Sequence, residues 1–294
     1  MIKNVLILGA GFMGSGIAQV LGSKGYKTYI WDINPDMLDK SINTVESGYN
    51  ILLKKERITE EDKKSYLSNI TVVNNINEVE SVDLIIEAVV ENLEIKKELF
   101  MKCYQQFGEN AIYASNTSAL SISTLSTAIP CSEKFIGLHF FSPVPIMKLV
   151  EIVRGIKTSQ ETVEICQKFI KDIEKVGVLV KDGPGFLVNR VMHAFRNEVI
   201  QCLEEGVASL EDIDTAVKLG LGHPMGPFEL NDFAGIDIGY ATIQTLYDGF
   251  KDPKWRPSLT VKHLVEAGDL GRKTGKGWYD YTSGEKKVRT DIKF

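Results

Sequence analysis

His139 and Glu151 are the residues of this 294-residue chain whose types and spacing most directly suggest chemistry. A histidine whose ring N–H is held by a carboxylate keeps one tautomer and presents its other ring nitrogen as a base. The carboxylate also stabilises the imidazolium once a proton arrives. Beside a nicotinamide cofactor, such a pair can take the proton from an alcohol while hydride leaves the same carbon. Two apolar, strand-like runs, 135–141 and 147–153, flank the Pro-rich turn Ser142-Pro143-Val144-Pro145-Ile146. His139 and Glu151 are equidistant from Pro145, so an antiparallel pairing centred there sets them opposite each other with both side chains on one face. An ordinary cross-strand pair has the same pattern, so the surrounding elements must decide.

The first thirty residues argue for the cofactor. Val5-Leu6-Ile7-Leu8 is a continuous apolar run of the kind buried on both faces of a parallel sheet. Gly9-Ala10-Gly11-Phe12-Met13-Gly14 follows at once and opens a helix predicted over 15–21 or slightly beyond. The first glycine permits the tight turn, the second lets backbone approach a pyrophosphate, and the third lets helix pack on strand. The helix N-terminus then faces the phosphates. A second strand, 27–31, ends at Asp32, the spacing at which an acid bonds the adenosine ribose hydroxyls. A carboxylate there repels a 2′-phosphate, which favours NAD over NADP, although neighbouring positions can override a single acid.

Asn34 and Pro35 read as N-cap and first residue of a long helix running toward Lys54, Lys55 and Arg57. Strands are expected at 70–73, 84–87 and 112–114, with a helix around 94–107. Alternating strand and helix means an α/β fold, a Rossmann-type, doubly wound and mostly parallel sheet. Its ligands bind beyond the carboxyl ends of the strands, where Glu91, Asn92, Ser115, Asn116 and Ser118 fall. Ser and Asn also cap loops and helices routinely.

A strand at 176–180 precedes the turn-rich hinge Lys181-Asp182-Gly183-Pro184-Gly185-Phe186. The pattern beyond it is helical, so two domains are expected, 1–184 for the dinucleotide and an all-helical C-terminal domain over 185–294. Val188, Val191, Phe195, Val199 and Cys202 form one stripe of a helix ending at Gly206, either core or subunit interface. Asn189 and Arg190 lie off that stripe, near the hinge and so near a cleft between domains. Ser209 caps a helix up to Gly220, and Pro227 opens another.

A net charge of −5 and a pI near 5.6 argue against a nucleic-acid partner. No apolar run approaches the length of a membrane span, and no secretory leader precedes the first strand, so a cytoplasmic protein is expected. Cys103, Cys131, Cys166 and Cys202 are scattered without a Cys-x-x-Cys pair, as reduced thiols are. The four histidines are equally dispersed, and no metal is expected.

A more specific pattern lies in GAGFMGSGIA at 9–18, EAVVEN at 87–92, SNTSAL at 115–120 and GLHFFSPVPIMKLVE at 137–151. It continues in DGPGFLVNR at 182–190, HPMGPFEL at 223–230 and GRKTGKGWYDY at 271–281. On these segments, which span essentially the whole chain, it resembles the short-chain L-3-hydroxyacyl-CoA dehydrogenases. The resemblance implies interconversion of (3S)-3-hydroxyacyl-CoA and 3-ketoacyl-CoA with NAD(H), with 3-hydroxybutyryl-CoA and acetoacetyl-CoA as the expected pair.

It also implies roles residue by residue. His139 would be the general base and Glu151 its partner. Ser118 and Asn189 would bond the reacting and thioester oxygens of the substrate, with Ser118 also at the cofactor. Glu91 and Lys96 would meet the nicotinamide ribose. Lys55, with Lys54, would meet the coenzyme A phosphates, although a basic helix end is as readily a solvated face. A homodimer through the helical domain is implied, with no fused hydratase domain. The related gulonate dehydrogenase and λ-crystallin branch carries Asn-Pro-Pro after its histidine. Here Phe140-Phe141-Ser142-Pro143-Val144-Pro145 follows the acyl-CoA pattern instead. A non-catalytic NAD sensor would not require His139, Glu151, Ser118 and Asn189 together.

Overall fold

The computed structural model describes residues 2–292, and the chain divides between Asp182 and Gly183 into two compact units. The first contains β1 (Asn4–Leu8), α1 (Phe12–Ser23), β2 (Lys27–Trp31), α2 (Pro35–Lys54), α3 (Glu60–Ser68), β3 (Ile70–Val72) and β4 (Leu84–Glu87). It continues through α4 (Leu93–Phe107), β5 (Ile112–Ser115), α5 (Ile122–Leu125), β6 (Phe135–Phe140), β7 (Leu149–Arg154), α6 (Gln160–Asp172) and β8 (Val176–Lys181). The strands form one sheet in the order β3-β2-β1-β4-β5-β6-β7-β8. Every neighbouring pair is parallel except β6 with β7. The chain lays β2 and β3 to one side of β1 and then returns to lay β4 on the other. Open α/β sheets bind ligands at such a reversal, beyond the carboxyl ends of the strands.

Helices cover both faces of the sheet, so Val5, Leu6, Ile7 and Leu8 are wholly buried, as are Leu84, Ile85 and Ile86. Each such side chain contributes about 1.5–3 kcal/mol relative to exposure, which explains the unbroken apolar runs. The Asn34 side chain caps α2 with Pro35 as its first residue, as read from the sequence. α1 starts earlier than expected because Gly11 is its N-cap and Phe12, Met13 and Gly14 form its first turn. α3 was not anticipated. Five of its nine residues are charged and none is buried, so no apolar period marks it, and a capping box of Thr59 and Asp62 starts it instead.

The second unit is helical, with α7 (Val188–Glu204), α8 (Leu210–Leu221), α9 (Pro227–Ala234), α10 (Ile236–Phe250) and α11 (Leu259–Glu266). A two-residue antiparallel ladder, β9 (Tyr279–Asp280) with β10 (Lys287–Val288), departs from the expected all-helical pattern. Ser209 caps α8 and Pro227 opens α9 as expected. The predicted stripe of α7 turns out of the core at its start. Val199 is buried but Val191 is 60% exposed, and the buried face runs through His193, Val199, Ile200 and Leu203.

Buried acids hold this unit together. Asp232 accepts hydrogen bonds from the Trp278 N–H (2.8 Å), the Tyr279 N–H (3.0 Å) and the Tyr281 hydroxyl (3.0 Å). Asp214 accepts from the Phe228 N–H (2.8 Å) and the Tyr279 hydroxyl (2.7 Å). Burial pushes the Asp232 carboxyl up to about 6 against the pull of its donors. Asp214 therefore ties Phe228 of HPMGPFEL to Tyr279 of GRKTGKGWYDY.

Candidate active site

Each end of the first glycine loop is closed by backbone. Gly9 has φ +107°, and a Cβ there would lie 2.6 Å from the Ala88 carbonyl oxygen at the end of β4. A Cβ on Gly14 would sit 1.8 Å from the Gly9 carbonyl oxygen. The middle glycine differs, since a Cβ on Gly11 would meet nothing within 4 Å. Open space at the N-terminus of a buried helix is the cradle a dinucleotide pyrophosphate fits. Asp32 ties this loop to β2. Its Oδ2 accepts from the Ala10 N–H (2.7 Å) and its Oδ1 from the Asn34 N–H (2.9 Å). Phe12 is 64% exposed beside the loop.

The hairpin has the register counted from Pro145, with His139 opposite Glu151. His139 Nδ1 and Glu151 Oε2 are 2.7 Å apart, the imidazole nearly buried and the carboxylate fully so. With Nδ1–H donated to the carboxylate, Nε2 is the nitrogen that can exchange a proton. The Phe141 ring lies against the imidazole at 4.5 Å between centroids. Asn116, in the loop after β5, accepts the Phe140 N–H at 2.9 Å and so ties the histidine strand to the Ser118 loop. Lys175 clamps the Pro-rich loop from below, its ammonium donating to the Val144 and Met147 carbonyls at 2.7 Å each.

Glu91 and Lys96 stand in a chain of charges at the ends of β4 and β5. Lys96 is 1% exposed and lies between Glu87 (2.6 Å) and Glu91 (3.1 Å). Glu87 also accepts from the Ser115 hydroxyl (2.6 Å) and the Val89 N–H (2.7 Å). Glu91 accepts from the Thr117 hydroxyl and the Ser118 N–H. Burial pushes the Glu91 carboxyl up, but Lys96, Thr117 and Ser118 outweigh it and hold the group below its ordinary range. Sequence reasoning passed over Glu87 and Thr117, because an acid ending a strand and a threonine in a loop carry no distinguishing pattern.

A groove of about 1140 Å³ runs between α1, α2 and the Pro-rich loop. Phe12, Ile51, Pro145 and Ile146 give it apolar walls, and Lys40, Lys55, Arg57 and Lys148 give it a basic rim. Lys54, the last residue of α2, is exposed and does not line the groove. Asn189 is in the first turn of α7, in the second unit. Among the described residues no group of three or more His, Cys, Asp or Glu side chains could hold a metal ion. No helix among them is long and apolar enough to cross a membrane.

The model of the 3-hydroxyacyl-CoA dehydrogenase NAD binding domain matches residues 4–183, and that of the same family's C-terminal domain matches residues 185–281. The chain is 42% identical over 289 residues to a 3-hydroxybutyryl-CoA dehydrogenase of Bradyrhizobium diazoefficiens, covering 98% of each chain. It is also 42% identical to the mitochondrial hydroxyacyl-coenzyme A dehydrogenase of Rattus norvegicus, over 96% of this chain and 92% of that one. The crystal structure of (S)-3-hydroxybutyryl-CoA dehydrogenase from Ralstonia eutropha superposes with a TM-score of 0.93 at 42% identity, over 96% of this chain and all of that one. Paired domain matches across nearly the whole length, together with the glycine loop and the histidine–carboxylate hairpin, establish that the chain belongs to the 3-hydroxyacyl-CoA dehydrogenase family.

Proposed function

We propose that this dehydrogenase interconverts (3S)-3-hydroxybutyryl-CoA and acetoacetyl-CoA, with NAD(H) in preference to NADP(H) and His139 as the general acid and base. The observation that carries the reading is the 2.7 Å contact between a nearly buried imidazole and a fully buried carboxylate at the carboxyl end of β6. When bound, NAD(H) supplies the hydride acceptor or donor at its nicotinamide. In the oxidative direction His139 Nε2 takes the proton of the C3 hydroxyl, and Glu151 offsets the imidazolium charge. In the reductive direction His139 returns that proton to the C3 carbonyl oxygen. Ser118 and Asn189 orient the substrate oxygens.

Glu91 contacts the nicotinamide ribose, and Lys96, buried behind it, holds it in place. The groove takes coenzyme A, its apolar walls against the pantetheine and Lys55 with the other rim cations at the phosphates. Lys54 contributes only as a neighbouring charge. Asp32 sets the preference for NAD by occupying the position a 2′-phosphate would need. The second unit pairs two copies into a homodimer, for which exposed Val191, Phe233 and Ile238 offer apolar surface. Four free cysteines suit the reducing cytoplasm.

Initial rates test the reading, with acetoacetyl-CoA compared against free acetoacetate and NADH against NADPH. The expected result is rapid NADH oxidation with the thioester, kcat/KM lower by about tenfold or more with NADPH, and little turnover of the free acid. Faster turnover with NADPH would overturn the role given to Asp32. Equal turnover of acetoacetate would overturn the role given to the groove.

A further inference from the structure

We propose that Glu87 is a positioning residue for the cofactor. Fixed at the end of β4, it holds Lys96, and through Lys96 the Glu91 carboxylate and the Thr117–Ser118 backbone, in the arrangement that receives the nicotinamide ribose. The inference rests on the reading of Glu91 as a cofactor contact. Nothing in that reading requires Glu87, which is fully buried and cannot itself reach a ligand.

Three donors converge on Glu87 and each comes from a different place. The Val89 N–H (2.7 Å) belongs to the loop that continues β4, the Ser115 hydroxyl (2.6 Å) ends β5, and the Lys96 ammonium (2.6 Å) comes from the first turn of α4. A carboxylate with three donors is satisfied as an anion, and a buried ammonium needs such a partner. Lys96 has a second partner in Glu91, at 3.1 Å, whose side chain is 41% exposed. Glu91 then fixes the Ser118 N–H (3.1 Å) and the Thr117 hydroxyl. Thr117 in turn accepts the Leu120 N–H at 2.9 Å. The order of anchoring therefore runs from the rigid sheet outward, from Glu87 to Lys96 to Glu91 to the loop after β5.

Glu91 is the exposed end of this chain, and Lys96 alone would leave its carboxylate free to turn with the flexible lysine stem. Two carboxylates on one ammonium fix the ammonium at a point between them. Removing the inner one leaves Glu91 held by Thr117 and Ser118 of the loop itself, with Lys96 no longer anchored to the sheet. Supporting groups of this kind change affinity and positioning when they are lost, without touching the ligand.

The test is NADH binding measured directly, by fluorescence titration of the purified protein, for Glu87→Gln, Ser115→Ala and Glu91→Gln beside the unmodified chain. Thermal unfolding and steady-state kinetics accompany each titration. Glu87→Gln keeps the shape and removes the charge. It is expected to raise the NADH dissociation constant, and the KM for NADH with it, about tenfold. The pH profile of kcat, which His139 sets, should stay unchanged. Ser115→Ala removes one donor without altering charge, and a rise of about threefold is expected. It keeps the proposal testable if Glu87→Gln does not fold. A merely structural Glu87 would lower the unfolding midpoint and leave the dissociation constant of the folded protein where it was, which overturns the proposal. Weakened binding in Glu91→Gln with normal binding in both other variants would overturn this inference alone. Normal binding in Glu91→Gln would remove the cofactor role of Glu91, and this inference with it.

Discussion

Replacement of His139 by glutamine is expected to lower kcat for acetoacetyl-CoA reduction by about 10²–10⁴-fold, the range general acid–base groups contribute. NADH binding should be unchanged, because His139 acts on the substrate oxygen. The choice of variant follows from the burial of its partner. Glu151 is fully buried against the imidazole, so alanine at 139 would take away the group that this buried charge is paired with. Breaking a buried pair from one side costs about 3–5 kcal/mol, and lost activity would then be confounded with lost fold. Glutamine can still donate to Glu151 while having no proton to exchange. The converse variant, Glu151→Gln, keeps the base but removes the negative charge that stabilises the imidazolium, and a loss of about a hundredfold is expected. NADH titration and unfolding curves check that both proteins are intact. Wild-type rates in either variant would remove the dyad from the mechanism.

The second large effect is at Gly14. An alanine methyl there would lie 1.8 Å from the Gly9 carbonyl oxygen and 3.3 Å from the Ile7 side chain. Both obstacles are buried, one in β1 and one in the turn that follows it, so the helix must move away from the strand. Overpacking of this kind costs on the order of 3 kcal/mol. The movement also withdraws the first-turn N–H groups of α1 from where a pyrophosphate would sit. Gly14→Ala is therefore expected to raise the NADH dissociation constant about a hundredfold, the equivalent of about 2.7 kcal/mol. Calorimetric titration and thermal unfolding measure the two effects. Gly11→Ala separates them, since its methyl meets no protein atom and should weaken NADH while leaving the unfolding midpoint in place. Unimpaired binding in Gly14→Ala would mean that the loop is not the pyrophosphate cradle.

Much of this arrangement is readable in the amino-acid order, and for identifiable reasons. Strands buried on both faces appear as unbroken apolar runs, so β1 and β4 stand out, and Asp32 is placed by the length of one strand–helix–strand unit. The register of His139 against Glu151 follows from counting outward from Pro145, about which the pairing of β6 with β7 is symmetric. The charged helix α3 is not legible, since its residues contact solvent and carry no apolar period. The basic rim is hidden for another reason. Lys40, Arg57 and Lys148 come from separate segments and become one feature only when α2 and the Pro-rich loop are placed beside each other. The hold of Lys175 on that loop and of Glu87 on Lys96 are likewise contacts across the fold, with nothing local to announce them. The stripe of α7 is legible as apolar but not as to which of its residues enter the core, because packing against α8 to α11 selects the face.

The central claim is that hydride passes between NAD(H) and C3 of a 3-oxygenated acyl-CoA while His139 handles the proton on the oxygen. The most direct test follows deuterium from stereospecifically labelled NADH into the product formed from acetoacetyl-CoA, analysed by mass spectrometry and by chiral chromatography of the released acid. The account predicts (3S)-3-hydroxybutyryl-CoA carrying the label at C3, with the hydroxyl proton drawn from solvent. Label lost to water, label at another carbon, or product of the opposite configuration would contradict it.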